Sequence, residues 1–443
     1  MQSPFSISRI IIPVLALSAT LWMSINPQLE LEPKDVNLQR RVLAMNQPCG
    51  PGEWTTPQSA FKQPAGKRFT AQDPTIAIGD RMSHIAGNNI EIYDGREVDT
   101  SPLTIATLKG VLVDLPKGQF NFIRPKIVED YAGRLHMLWA EPAASDKLLN
   151  TGEWGGAQMV SVWAAAYTAR TGWTLPKKIV ERKNFLWPQT RIWKENVTGD
   201  AGQAVIALPV ALFVPETKSP VMLLRLNDGR WSVDSISNDI MSGKNAASFA
   251  SKGVHEIVSY LSADPDADQD VNSVIVQRSA DRGRTWSKAQ VVSRSGMQPA
   301  YSVQVVIGKD GAVHIVWLQS VGKAAAALRH SVSHDYGESW SIPDAYAGAR
   351  DDRHELRAVI DNCGVLHVIF ENWNLGGNRG HLEHAIWDGG WHAPAKLFTG
   401  WYSRSADLTL SVIGSPVLAF MKRPAIASVE SAFEPAYVEF LRK

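Results

Sequence analysis

Short apolar runs closed by an aspartate turn recur along this chain. Val303–Ile307 and Leu356–Ile360 are two of them, and each leads through a turn (Asp310, Asp361) into a second run. The second run opens with a repeated phrase. Gly311-Ala-Val313-His314-Ile-Val-Trp317 and Gly364-Val-Leu366-His367-Val-Ile-Phe370 match each other, and Gly133-Arg-Leu135-His136-Met-Leu-Trp139, after Asp130, is a third copy. This pattern predicts strand, turn, strand each time. A period near 50 residues predicts a propeller with one four-stranded sheet per blade.

A second phrase keeps the same period. Ser279-Ala-Asp281-Arg-Gly283-Arg-Thr285-Trp286 recurs as Ser333-His-Asp335-Tyr-Gly337-Glu-Ser339-Trp340, with the aspartates 54 residues apart. In a tight hairpin the carboxylate accepts backbone N–H groups, the glycine takes a positive φ and the tryptophan caps the apolar layer. Partial copies end in Gly172-Trp173, Gly229-Arg-Trp231 and Gly389-Gly-Trp391. The phrase resembles the Asp box, or BNR repeat, of sialidase-like β-propellers. Five units follow, at about 120–182, 200–237, 250–293, 300–345 and 355–398. The strand-like remainders 69–116 and 405–441 are expected to share a sixth, composite blade that removes exposed sheet edges. The expected fold is therefore all-β, a six-bladed propeller of the sialidase type, with seven blades if both remainders are complete.

Composition narrows the function. With formal net charge +1 and 20% charged residues, nothing favours a nucleic acid partner. Most of the sixteen tryptophans fall at repeat positions and read as packing. Residues 1–25 differ from the rest, since Arg9 precedes a mostly apolar run over residues 10–25. That run predicts a signal peptide or a membrane anchor, hence export to the periplasm, the cell exterior or the membrane surface. Residues 26–68 read as a tether and 69–443 as the propeller. Cys49 and Cys363 either pair, pinning tether to propeller in an oxidising compartment, or stay as thiols. His136, His314 and His367 recur at one blade position and read as packing or hydrogen-bonding groups. No metal set, phosphate loop or other cofactor motif is present, so neither metal nor cofactor is expected.

The topology predicts where a site lies. The start of each first strand and the end of each second strand border one central mouth, and Asp281 and Asp335 lie on the opposite face as structural staples. Mouth positions include Phe122-Ile-Arg124-Pro125, Pro299-Ala-Tyr301, Arg353-His354-Glu355-Leu-Arg357 and Trp401-Tyr402-Ser-Arg404. Second-strand ends add Trp139-Ala-Glu141 and Phe370-Glu371-Asn372-Trp373. Arginines, carboxylates and aromatic rings around one axis suit a glycan or acidic polysaccharide.

What the sialidase resemblance implies is more specific. Arg124, in a phrase similar to Phe/Tyr-Arg-Ile-Pro with its middle order altered, would join Arg357 and Arg404 on a substrate carboxylate. Tyr402 or Tyr301 would be the nucleophile, with Glu371, Glu355 or Glu256 as its partner. Glu141 or Asp146 would supply the proton, and Tyr301 and Trp373 would contact the sugar. The expected activity is that of an exported glycoside hydrolase of the sialidase kind. The alternative is a non-catalytic propeller, tethered at the membrane, that binds a glycan or docks a protein at its mouth. Fold alone does not choose between them.

Overall fold

The computed structural model describes residues 49–59 and, between Gln72 and Arg442, the strands and many of the turns that join them. The apolar run at 10–25, residues 26–48 and Asp146 lie outside the described residues. No helix among the described residues is long and apolar enough to cross a membrane.

The described chain is all-β. Seven antiparallel sheets of four or five strands follow one another, and one two-stranded ribbon stands apart. In chain order their inner strands are Gln72–Ala77, Ile123–Glu129, Arg191–Ile192, Ala247–Lys252, Ala300–Ile307, Arg353–Ile360 and Trp401–Leu410. Inner strands of successive sheets lie side by side, except that Ala247–Lys252 meets the third sheet's second strand, Ile206–Ala211, and the first inner strand packs on those of both the second and the seventh sheets. The arrangement is propeller-like. Each of the five repeat units carries one sheet.

The two end segments, expected to share a sheet, form separate ones. Residues 72–113 supply the first sheet, and Trp401–Leu410, Pro416–Pro424 and Glu434–Arg442 supply three strands of the seventh. The seventh is completed from the stretch read as a tether: Gly52–Trp54 pairs with Glu434–Arg442, Trp54 opposite Phe440, and Gln58–Ser59 pairs further along. The reason is the edge. Without that partner the whole outer side of Glu434–Arg442 would expose unpaired amides and carbonyls. Cys49, just before the closing strand, is bonded to Cys363 in the turn after the sixth inner strand. Closing a loop of 314 residues stabilises a fold on the order of 5 kcal/mol in a chain-entropy account.

A second constraint acts at the axis. An inner strand has a neighbour on one side only, so amides on its free edge need acceptors from elsewhere. Five junctions solve this in the same direction, each amide reaching back to a side chain of the preceding sheet. Val305 N–H donates to Ser248 Oγ at 2.9 Å, Leu356 N–H to Ser302 Oγ at 3.2 Å and Ala406 N–H to Glu371 Oε1 at 3.0 Å. The ring continues through Ile76 N–H on Asp407 Oδ2 at 2.9 Å and Ile127 N–H on Thr75 Oγ1 at 3.3 Å. Five inner strands also break register near their mouth ends, between Gln72 and Thr75, Ile123 and Lys126, Ala300 and Val303, Arg353 and Leu356, and Arg404 and Asp407. Two of these bulges hold a serine in the left-handed region, Ser302 at φ 83° and Ser405 at φ 52°.

The repeated eight-residue turns behave as their residue types demand. Asp281 accepts the Thr285 amide at 2.9 Å and its hydroxyl at 2.6 Å, while Ser279 Oγ donates to Asp281 and receives the Gly283 N–H at 2.8 Å. Asp335, Ser339, Ser333 and Gly337 repeat the set. Bonds from the Thr285 hydroxyl and amide hold Asp281 at about 2. Burial works against Asp335, but the Ser339 hydroxyl and amide still hold it at about 2. Trp286 and Trp340 pack onto the apolar layers beneath.

The second-strand histidines have partners the repeat did not reveal. His314 Nδ1 meets His330 Nε2 at 3.0 Å, and His367 Nδ1 meets His384 Nε2 at 3.0 Å, each pair stacked and buried. Burial is the main cause that pushes His314 down to about 4 and His330 down to about 3. Both values lie below the ordinary 6.5, so the unfolded chain binds protons first. The stability that depends on the neutral pair is complete above about pH 6.5 and is lost as the pH falls toward 4 and then 3. Urea unfolding between pH 7.5 and 4 should show that decline, and a His314→Gln/His330→Gln variant should show a shallower one. An unchanged slope would separate the pair from acid stability.

Candidate functional site

Antiparallel pairing sorts the chain into two faces. The turns after the inner strands, including Asp310 and Asp361, share one end with the eight-residue turns. The starts of inner strands, the ends of second strands and the starts of third strands share the other, which is the mouth.

In the sixth sheet the second strand Leu366–Asn372 ends, and the third strand His381–Trp387 begins, at this mouth, with Asn372 opposite His381. Here a polar assembly is buried where an apolar strand pair would otherwise continue. His381 Nε2 lies 3.0 Å from Glu383 Oε1, and Asn372 Nδ2 donates to the same oxygen at 3.2 Å. Glu383 is 1% exposed, whereas the His381 side chain is 14% exposed. A carboxylate can only accept, so the proton of a neutral His381 sits on Nε2. Nδ1 keeps its lone pair and has no partner among the described residues. A histidine oriented by a buried carboxylate, one nitrogen open, is an arrangement able to take up and return a proton.

The seventh sheet lies alongside. Leu382 N–H donates to Ser403 Oγ at 3.0 Å, and Ser403 N–H donates to the Gly380 carbonyl at 3.0 Å, so the chain before the seventh bulge is laid along the sixth sheet's third strand. At this edge Lys422 and Arg423, both buried, sit under aromatic rings. The Lys422 ammonium is 4.3 Å from the Trp401 ring centre and 3.2 Å from Glu434, and the Arg423 guanidinium is 5.4 Å from the Tyr402 ring centre. Trp401 and Tyr402 remain half-buried. Ser59, from the closing segment, donates to Glu434 at 3.0 Å, which ties the N-terminal part of the chain to this edge.

The residues singled out from sequence are distributed as follows. Tyr402 is at the mouth, its ring against the Arg423 guanidinium. Glu371 is at the mouth too, 3% exposed, opposite the bulge of His354 and Glu355, with Oε1 taken up by Ala406 N–H. Glu141 ends a second strand of the second sheet and is buried. Arg357 pairs with Glu355 at 3.2 Å and donates to the Leu356 carbonyl at 2.9 Å. Arg124, Tyr301 and Arg404 occupy the mouth ends of their inner strands, the first two within bulges; their side chains and the whole of Trp373 lie outside the described residues. Glu256 is at the opposite end of its sheet, where Arg225 grips it with bonds of 2.7 and 2.5 Å. The sequence pattern did not reveal His381, Glu383, Lys422 and Arg423. Their signal was weak: His381-x-Glu383 lies just past a long mouth loop, and neither pair recurs in other blades. Among the described residues no group of His, Cys, Asp and Glu is arranged to hold a metal ion.

The chain matches no family model and no curated protein. Solved structures match its fold. A protein of unknown function from Dyadobacter fermentans is 12% identical, with TM-score 0.51, covering 88% of this chain and 99% of its own. A polysaccharide lyase, an ulvan lyase bound to -[GlcA(1-4)Rha3S]-, is 10% identical, with TM-score 0.51, covering 86% and 97%. The sialidase Hz136 of Hadza microbial origin is 14% identical, with TM-score 0.44, covering 82% and 73%. At these identities the first two likenesses show the fold alone.

Glu371 offers a direct test of structure against chemistry. Glu371→Ala strands the buried Ala406 amide and should cost about 1–3 kcal/mol in urea unfolding. Glu371→Gln retains an acceptor oxygen and should cost less. Equal losses would mean that the amide bond carries no weight in the ring.

Proposed function

We propose that this chain is an exported, seven-bladed propeller that acts on an acidic glycan at the mouth-side edge of its sixth and seventh sheets. The observation that carries the reading is the His381–Glu383–Asn372 assembly beside a ledge of half-buried aromatic rings backed by cations. Trp401 and Tyr402 offer ring faces to a sugar, and Lys422, Arg423 and Arg404 supply positive charge for its acidic groups. His381, held by Glu383, transfers the proton. Arg124 and Tyr301 would add a cation and a ring from the mouth ends of their strands, with Glu141 as a second acid.

The sialidase-type version would instead use Tyr402 as nucleophile, Glu371 as its partner and Arg124, Arg357 and Arg404 on the carboxylate. Arg357 and Glu371 already make the bonds described above, and their engagement leaves proton transfer to His381. The same two engagements favour a second reading, a propeller that binds an acidic glycan without cleaving it. Saccharide-bound neighbours such as the ulvan lyase support a glycan ligand in either case.

The test is a panel of uronate polysaccharides, sulfated polysaccharides and sialosides, read for binding, new reducing ends and unsaturated sugar ends. Cleavage of an acidic polysaccharide is expected, with a rate that His381→Ala lowers by about 10²–10⁴-fold. Unsaturated ends would mark elimination, and reducing ends without them hydrolysis. Binding without cleavage would establish the second reading, and neither binding nor cleavage would reject both.

A further inference from the structure

The closing strand is fixed to the sixth sheet by more than its disulfide. Trp54 Nε1–H donates to His384 Nδ1 at 3.1 Å. An indole nitrogen can only donate, so the proton of neutral His384 is on Nε2, pointing at His367 Nδ1 across 3.0 Å. His367 must then carry its own proton on Nε2, which faces Asp361 Oδ2 at 3.1 Å. Arg442 closes the row. Its Nε donates to Asp361 Oδ2 at 2.9 Å, and its Nη1 donates to the Gly50 carbonyl at 2.8 Å. Each Nδ1 in the relay is an acceptor already in use. A proton added to either would set two donors face to face, breaking the Trp54–His384 bond or the bond between the rings. The charged groups meeting this pair are Asp361, from the turn, and Arg442, from the seventh sheet's third strand; Trp54 and Phe440 pack on it as rings.

We propose that residues 49–59 form a clasp with two locks beyond its strand pairing: a disulfide that holds it in oxidising surroundings, and a histidine relay that secures it, and releases it in acid, once the disulfide is reduced. Reduction takes two electrons and two protons from an external dithiol, which leaves as its own disulfide while Cys49 and Cys363 become thiols. Burial keeps both histidines below the ordinary value, so they are neutral at pH 7 and protonate on the acid side. The clasp also reaches the mouth through Ser59–Glu434–Lys422, so its release would loosen the Trp401 ledge. That last link alone rests on the glycan reading; the locks do not.

Hydrogen exchange of residues 50–59 and 434–442, corrected for the intrinsic rate at each pH, tests the locks on the full chain without any glycan. The oxidised protein should be equally protected at pH 7.5 and 5. A Cys49→Ser/Cys363→Ser variant should be protected at pH 7.5 and lose at least tenfold of its protection at pH 5. Adding Trp54→Phe removes the indole donor, so protection should be lower and should fall less steeply between pH 7.5 and 5. If the double variant fails to fold, wild-type protein reduced by dithiothreitol after folding replaces it. Acid sensitivity in the oxidised protein, none in the reduced one, or no protection of the reduced one at either pH would overturn the proposal.

Discussion

The ring depends on amides that have no strand to bond to. The inner strand of each sheet has a free edge, and its amides there need acceptors from outside the sheet. At five junctions this chain places a serine, threonine, aspartate or glutamate on the preceding sheet to receive them, each in the same direction around the ring. The stitching makes each sheet's position a condition for the next. It also limits the mouth, because acidic side chains there are needed by the walls before any ligand arrives.

That demand separates the acidic residues of the mouth by role. Glu371 and Asp407 are spent on backbone amides of the neighbouring sheet. Glu383 is held instead by a histidine and an asparagine of its own sheet, and the histidine it orients touches solvent. Arg357 is matched by Glu355 and Lys422 by Glu434, and Lys422 and Arg423 are buried against rings that stay half-exposed. Among the described residues, the last two sheets bring together at the mouth a solvent-touching histidine held by a buried carboxylate and two cations packed on aromatic rings.

Much of the fold was legible because packing repeats. Gly-x-Val/Leu-His and Ser-x-Asp-x-Gly recur since each sheet must solve the same turn and the same apolar layer. What did not repeat stayed hidden. Gly52–Trp54 is three residues with no blade phrase, yet an edge strand needs only backbone to pair. His330 and His384 lie 16 and 17 residues beyond their partners, a spacing that carries meaning only once the second and third strands are in register. The candidate site was legible in part, down to the mouth strands. Which carboxylate works on the wall and which on a histidine depends on contacts between sheets, and no periodicity records those.

The Cys49–Cys363 bond has a geometric consequence for the closing segment. Cys363 is in a turn at the end of the sixth sheet opposite the mouth, so Cys49 is held at that far face. Residues 49–59 then run along the seventh sheet's third strand to Ser59, whose partner Glu434 is at the mouth. One short segment thus spans the wall from face to face, covalently fixed at one end and hydrogen-bonded at the other.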